Sequence, residues 1–238
     1  MQTAVAQPYQ PLIKLGFALA IGFLASAACA QQAQYPAVKP KAQQVGGFVP
    51  PGWEIRDGAT GDLNKDGLAD EALVLERSAR KGKPDSVLPR MLVVLFKLPA
   101  NQGYTLSAQS NSFILTHDDP ETDEPLAGIS ITRGVLKIDF QYNRSDSHDD
   151  LSTSAYKFRY NGRQFVLIGA DISITGRMSF TFQKYSYNFL TRKGVFTTGP
   201  LGEDADPTLT RTLALPVPKT LDTFVKPGTW LLDENFFL

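Results

Sequence analysis

Through much of residues 72–198 apolar side chains recur at every second position, and that period of two commits the chain to strands. Leu136, Ile138, Phe140 and Tyr142 share one parity while Lys137, Asp139 and Gln141 take the other, the pattern of a strand with one buried face. Arg133 and Gly134 separate it from an apolar stretch at 128–132, which predicts a hairpin. Tyr156, Phe158 and Tyr160 alternate before Asn161 and Gly162, and Val166, Ile168, Ala170, Ile172 and Ile174 alternate after them. Asn-Gly tolerates positive φ at both positions, so arms at 155–160 and 164–174 are expected to fold back on each other. Residues 91–96, Met-Leu-Val-Val-Leu-Phe, are apolar at both parities and predict a central strand covered on both faces. Shorter strands are expected at 72–76, 104–108, 113–116 and 195–198. Phe180 and Phe182 stand on the opposite parity from Tyr185, Tyr187 and Phe189, which predicts a bulge near Gln183 and Lys184 or a strand buried on both sides. The fold class is therefore all-β, mainly antiparallel hairpins in a meander. One domain over 51–198 is long enough to bury a substantial core.

One loop makes a chemical claim. Residues 62–70 read Asp-Leu-Asn-Lys-Asp-Gly-Leu-Ala-Asp, with side-chain oxygens at loop positions 1, 3, 5 and 9 and glycine at position 6. A hard cation such as calcium takes about six to eight oxygen ligands. Asp62, Asn64 and Asp66 each offer one, the Leu68 carbonyl adds a main-chain ligand, and Asp70 closes the sphere. Gly67 sits at the sharp turn, where positive φ costs glycine little. The bidentate glutamate that an EF-hand places at position 12 is replaced by Leu73, and the apolar residues 72–75 read as a strand. A loop entering a strand is the expectation, with an ion-free acidic turn as the alternative.

Residues 61–70 with the strand behind them resemble the calcium loop of FG-GAP/VCBS-type repeats, known from integrin-type β-propellers and many secreted bacterial proteins. The resemblance implies a structural Ca2+ held by Asp62, Asn64, Asp66 and Asp70. A propeller is built from several copies and this chain has one, so a full propeller is not expected. A single loop carried on another β-fold, as in uncharacterised exported bacterial proteins, is the expectation.

The first thirty residues carry one charge, Lys14, then an apolar stretch at 15–28 and a small-x-small site at Ala28, Cys29 and Ala30. This predicts a signal peptide cut after Ala30 and a periplasmic or secreted protein. The stretch is shorter than the roughly 20 residues of a membrane span, and no transmembrane span is expected in the mature chain. A lipoprotein signal through Cys29 is the alternative, with Ser26 where such signals place leucine. Cleavage after Ala30 leaves no cysteine, so stability comes from the core and the ion. It also changes 24 basic and 24 acidic residues into 23 and 24. Such a balance lacks the basic excess of a nucleic-acid binder or a polybasic membrane patch. Residues 31–50, rich in Gln, Ala, Pro and Lys, read as a flexible linker. Residues 199–238 form a Pro-rich extension whose apolar ends at 230–232 and 236–238 are expected to dock on the domain, or on a partner.

No nucleophile elbow, His-Glu-x-x-His motif or phosphate-cradling loop is present, so no catalytic residue and no further cofactor is assigned. His117 and His148 each open a His-Asp-Asp triplet: a second metal site if the fold joins them, two solvated turns if not. Tyr156, Tyr160, Tyr185, Tyr187 and Trp230 read as core pairs or as a sugar-stacking platform. The expected role is an exported, non-catalytic binding or envelope-associated accessory protein with a protein or glycan partner. The rivals are a secreted hydrolase using carboxylates or the His-Asp-Asp loops, and a subunit docking through its apolar C-terminus.

Overall fold

Period-two patterning yields two antiparallel sheets in the computed structural model, which describes residues 35–79, 87–143, 151–204, 206–214, 218–224, 226–233 and 236–238. The expected signal peptide and His148 lie outside the described residues. β1 (Lys41–Ala42), β2 (Trp53–Gly61), β3 (Asp70–Arg77), β4 (Arg90–Lys97) and β5 (Tyr104–Ser110) form one sheet, ordered β1-β5-β4-β3-β2. The second sheet is a meander. It contains β6 (Leu126–Thr132), β7 (Val135–Tyr142), β8 (Leu151–Tyr160), β9 (Phe165–Gly176), β10 (Thr181–Asn188), β11 (Lys193–Pro200) and β12 (Leu209–Thr212). β13 (Leu231–Asp233) and β14 (Phe236–Phe237) pair as a small hairpin. Among the described residues neither sheet closes into a barrel, and no helix is long and apolar enough to cross a membrane.

The alternation in β7 is realised as far as Phe140: Leu136, Ile138 and Phe140 are buried and the residues between them only partly so, whereas Tyr142, expected on the same face, is exposed at the strand end. Its turn has Arg133 at φ 53° and Gly134 at φ 74°, closed by the pair Thr132 and Val135. The Asn161 hairpin has a longer tip than Asn-Gly implies. Tyr160 pairs with Phe165, and Asn161 Oδ1 accepts bonds from the Arg163 and Gln164 amides, both at 3.0 Å.

β3 and β4 are covered on both sides. Ala72, Val74, Leu92 and Val94 face a core shared with Leu136, Ile138, Phe158 and Leu167 of the second sheet. Leu73, Leu75, Met91, Val93 and Leu95 face the other way, against Val38 and Phe48. That cover corrects the expected linker over 31–50: its described part, residues 35–50, is packed. Pro- and Gln-rich composition argues for an unpacked chain only when apolar residues are too few. Here Tyr35, Val38, Val45 and Phe48 suffice, because the outer face of β3 and β4 needs a lid.

Two further expectations are corrected. Residues 113–116 form no strand. The Phe113 amide donates to Ser110 Oγ at 3.3 Å, and Phe113 and Ile114 drop into the shared core as a plug. β10 pairs without interruption with both β9 and β11, so no bulge falls at Gln183. Tyr185 and Tyr187 pack against the core, while Phe182 stays on the opposite face, where Lys184 Nζ lies 5.2 Å from its ring centre. A cationic side chain over a ring offsets the exposure that the bulge was expected to avoid.

β2 and β6 are sheet edges that meet without a ladder. Asp57 Oδ2 accepts from Ile129 N at 3.1 Å while its Oδ1 accepts from Gly58 N at 2.8 Å. Gly61 lies so close to Ile131 that a Cβ there would sit 2.5 Å from Ile131 Cγ2.

A buried ion network lies nearby. Arg90 Nε donates to Glu76 at 2.5 Å, and its two Nη atoms fork onto Glu124 at 2.6 and 2.8 Å. Arg90 Nη1 also reaches the Leu115 carbonyl, and Arg56 donates to Glu124 at 3.0 Å. Burial alone would raise the Glu124 carboxyl, but Arg90, the Leu126 amide and Arg56 hold it below the ordinary carboxylate range.

The C-terminal extension returns to the shared core through Leu213, Leu221, Phe224 and Leu238. Trp230 and Leu238 exchange main-chain bonds at 3.0 and 2.8 Å, and the Trp230 ring lies 5.9 Å from Phe224. Trp230 and Leu238 are thus engaged within the molecule. A chain lacking residues 229–238 is expected to lose about 2–3 kcal/mol in urea unfolding, from the lost burial of these two side chains. Unchanged stability would show that the tail is not held there.

Candidate functional site

The loop at 62–70 joins β2 to β3, whose ends pair at Gly61 and Asp70. Its polar side chains turn inward onto its own amides. Asp62 Oδ1 accepts from Lys65 N at 2.6 Å and Asp66 N at 3.2 Å, and its Oδ2 from Gly67 N at 3.0 Å. Asn64 Oδ1 accepts from Asp66 N at 3.0 Å, and Asp66 Oδ1 from Leu68 N at 2.8 Å. Asn64 Nδ2 donates to Asp66 Oδ2 at 3.0 Å. Lys65 and Gly67 are left-handed at φ 67° and 83°. Successive amides facing one concavity make a positive pocket that gathers carboxylates.

Asp70 does something different. It is fully buried, and three main-chain amides hold it: Leu63 N at 2.9 Å and Asn64 N at 3.3 Å on Oδ2, and Lys97 N at 2.9 Å on Oδ1. Burial raises its carboxyl above the usual range and the nearby Asp66 charge adds to this, against the opposing pull of the amides. Asp70 therefore staples the start of the loop to the end of β4.

The loop also touches the second sheet. Leu63 is 1% exposed and belongs to the shared core. A Cβ on Gly134 would lie 3.6 Å from the Asp62 carbonyl and 3.9 Å from that of Leu63, so the loop rests on the β6–β7 turn. Sequence spacing identified the oxygen-bearing residues but not this seat. The available signal was Leu63, an apolar residue at position 2 of a polar loop.

The donor chemistry of Asp62, Asn64, Asp66 and Asp70 fits a hard cation. Among the described residues no three His, Cys, Asp or Glu side chains stand together as an assembled metal centre. Asp62, Asn64 and Asp66 accept from loop amides that hold their oxygens inside the curve of the backbone, and Asp70 divides its oxygens between the loop and the Lys97 amide.

The remaining candidates lie elsewhere. His117 is exposed, and its Nε2 lies 2.8 Å from the Thr122 carbonyl, closing its own turn. Tyr156 and Tyr187 are buried and Tyr160 and Tyr185 pack against the same core, which makes them core pairs rather than a sugar platform. Burial pushes the Tyr156 phenol up to about 12, against opposing bonds from Ser154 and the Gly228 main chain. Comparison with known proteins gives no match: no protein-family model, no curated protein and no solved structure is similar to the chain.

Proposed function

We propose that the chain is an exported, non-catalytic β-rich accessory protein, a binding or envelope-associated module, with one structural calcium site in the loop at 62–70. The observation that supports this most is the inward turn of Asp62, Asn64 and Asp66 onto one arc of amides, on a loop anchored in both sheets. The proposed ligands are Asp62, Asn64, Asp66, the Leu68 carbonyl and Asp70. A bound calcium ion would supply positive charge beside Asp70, whose ionised form the nearby Asp66 charge disfavours. Its proposed role is to hold the β2–β3 connection against the β6–β7 turn. Export rests on residues 1–30, and the non-catalytic reading on the missing sequence signatures.

An ion that binds only the folded state stabilises it by about 2.7 kcal/mol at a hundredfold excess over Kd. Calcium is therefore expected to raise the thermal midpoint of the protein by about 5–10 °C. Asp66→Ala is expected to abolish that shift. An equal shift in the variant would remove the loop as the site.

A further inference from the structure

A groove opens beside the second apolar cluster, at the end of the β2–β3 pair opposite the acidic loop. Its rim is a tight turn in which Trp53 N donates to the Pro50 carbonyl at 3.1 Å. Pro51 and Gly52, the latter at φ 76°, fill the two central positions, the signature of a type II turn. The Ser78 amide donates to the Gly52 carbonyl at 2.9 Å and fixes the turn against the end of β3. Trp53 is the register partner of Arg77, so their side chains leave the sheet on one face. The Tyr35 ring lies 5.9 Å from the Trp53 ring at 42°. Together with Pro36, Pro50 and Pro51 these side chains line a cavity of about 540 Å³.

Arg77 gives the groove its charge. Arg90 and Arg56 are both paired with carboxylates, but among the described residues no carboxylate lies within ion-pair distance of the half-buried Arg77. An arginine in this position is a ready partner for a carboxylate, which it grips through two parallel bonds. Trp, Tyr and Arg are also the side chains that most often dominate binding energy at interfaces.

We infer that this groove docks an extended, proline-containing peptide segment bearing an acidic side chain, with the prolines on Tyr35 and Trp53 and the acid on Arg77. Ridges of aromatic and proline rings suit a polyproline II segment, which is already extended and loses little entropy on binding. Such a segment leaves its carbonyls without internal partners. The Tyr35 phenol, protonated at neutral pH like any tyrosine, offers a donor to one of them. The wall is equally rigid, because Pro51 and the turn bond fix the position of Trp53.

The test is calorimetric titration of the full chain, at fixed calcium, with the capped peptide Pro-Pro-Glu-Pro-Pro. The same peptide with Gln for Glu and an oligogalacturonate serve as comparators. Saturable binding to the Glu peptide is expected, at least tenfold weaker for the Gln peptide and for Arg77→Gln. Tyr35→Ala should also lose at least tenfold, and circular dichroism checks that both variants fold. If Tyr35→Ala fails to fold, Arg77→Gln and the two peptides decide alone, since among the described residues Arg77 has no ion pair to lose. Absence of binding, equal affinity for both peptides or for Arg77→Gln, or binding of the acidic sugar in place of the peptide would each overturn the inference.

Discussion

Arg90→Met is expected to lower the unfolding free energy by about 3–5 kcal/mol, because it strands buried carboxylates without their cation. The Arg90 side chain is 3% exposed, and Glu76, which it contacts through Nε, is 8% exposed. Glu124 is 26% exposed and keeps only Arg56 and the Leu126 amide once the Arg90 fork is gone. A methionine fills much of the volume but answers neither charge. Adding Glu76→Gln and Glu124→Gln to the variant should recover a large part of the loss, since neutral amides are less costly to bury than unpaired carboxylates. The pH dependence distinguishes charge from packing. Glu124 is held below the ordinary glutamate value of 4.5, so its contribution in the wild type is complete above that value and is lost as pH falls through the lower, folded value. In Arg90→Met, burial without the fork should instead raise the Glu124 carboxyl. Acidification should then narrow the stability gap between variant and wild type. Urea unfolding at pH 7 and pH 4 measures both; a gap that does not change with pH would assign the loss to packing alone.

The parts of this fold legible in the sequence are those fixed by neighbours along the chain. β7 shows its buried face directly, because Leu136, Ile138 and Phe140 alternate with Lys137, Asp139 and Gln141. β4 shows two buried faces because both of its parities are apolar. What lay beyond reach depends on partners far away in sequence. β2 reads Trp-Glu-Ile-Arg-Asp-Gly-Ala-Thr-Gly, and its apolar alternation stops at Ile55; the rest is a strand because it pairs with β3 and borders β6 through Asp57. The lid of residues 35–49 exists because β3 and β4 present an apolar outer face, which a reading of the lid's own composition does not contain. Phe182 tolerates its exposed parity because Lys184 covers it.

The candidate site divides in the same way. Oxygen spacing at 62–70 is a local pattern, and so is the glycine that lets the loop turn. The anchors are not local: Asp70 meets the Lys97 amide, Leu63 enters the shared core, and the loop rests over Gly134. Spacing could offer Asp70 only as a candidate ligand; its work as a staple comes from the packed structure. The groove is less legible still, since Tyr35, Trp53 and Arg77 come from three separated stretches that the β2–β3 register and the lid bring together.

Phe113→Ala is expected to lose about 3–5 kcal/mol, the range for removing a large buried aromatic side chain. The residue has no strand to belong to, so its contribution rests wholly on what its ring touches. It lies edge-on to Phe158 at 5.1 Å, Tyr156 at 5.6 Å and Phe224 at 5.5 Å, joining β8 to the C-terminal extension through a loop. Edge-to-face pairs add about 0.5–1.5 kcal/mol beyond their burial, and the cavity left by alanine adjoins rings that are themselves tightly packed. Phe180, 70% exposed at the β9–β10 turn, is the control: Phe180→Ala should change stability by no more than about 0.5 kcal/mol. Phe224→Ala made together with Phe113→Ala should depart from additivity by about 0.5–3 kcal/mol, because the two rings touch. Strict additivity would mean that the extension and the plug do not share a core. A loss from Phe113→Ala no larger than that from Phe180→Ala would mean that residues 110–116 are not seated between the sheets at all.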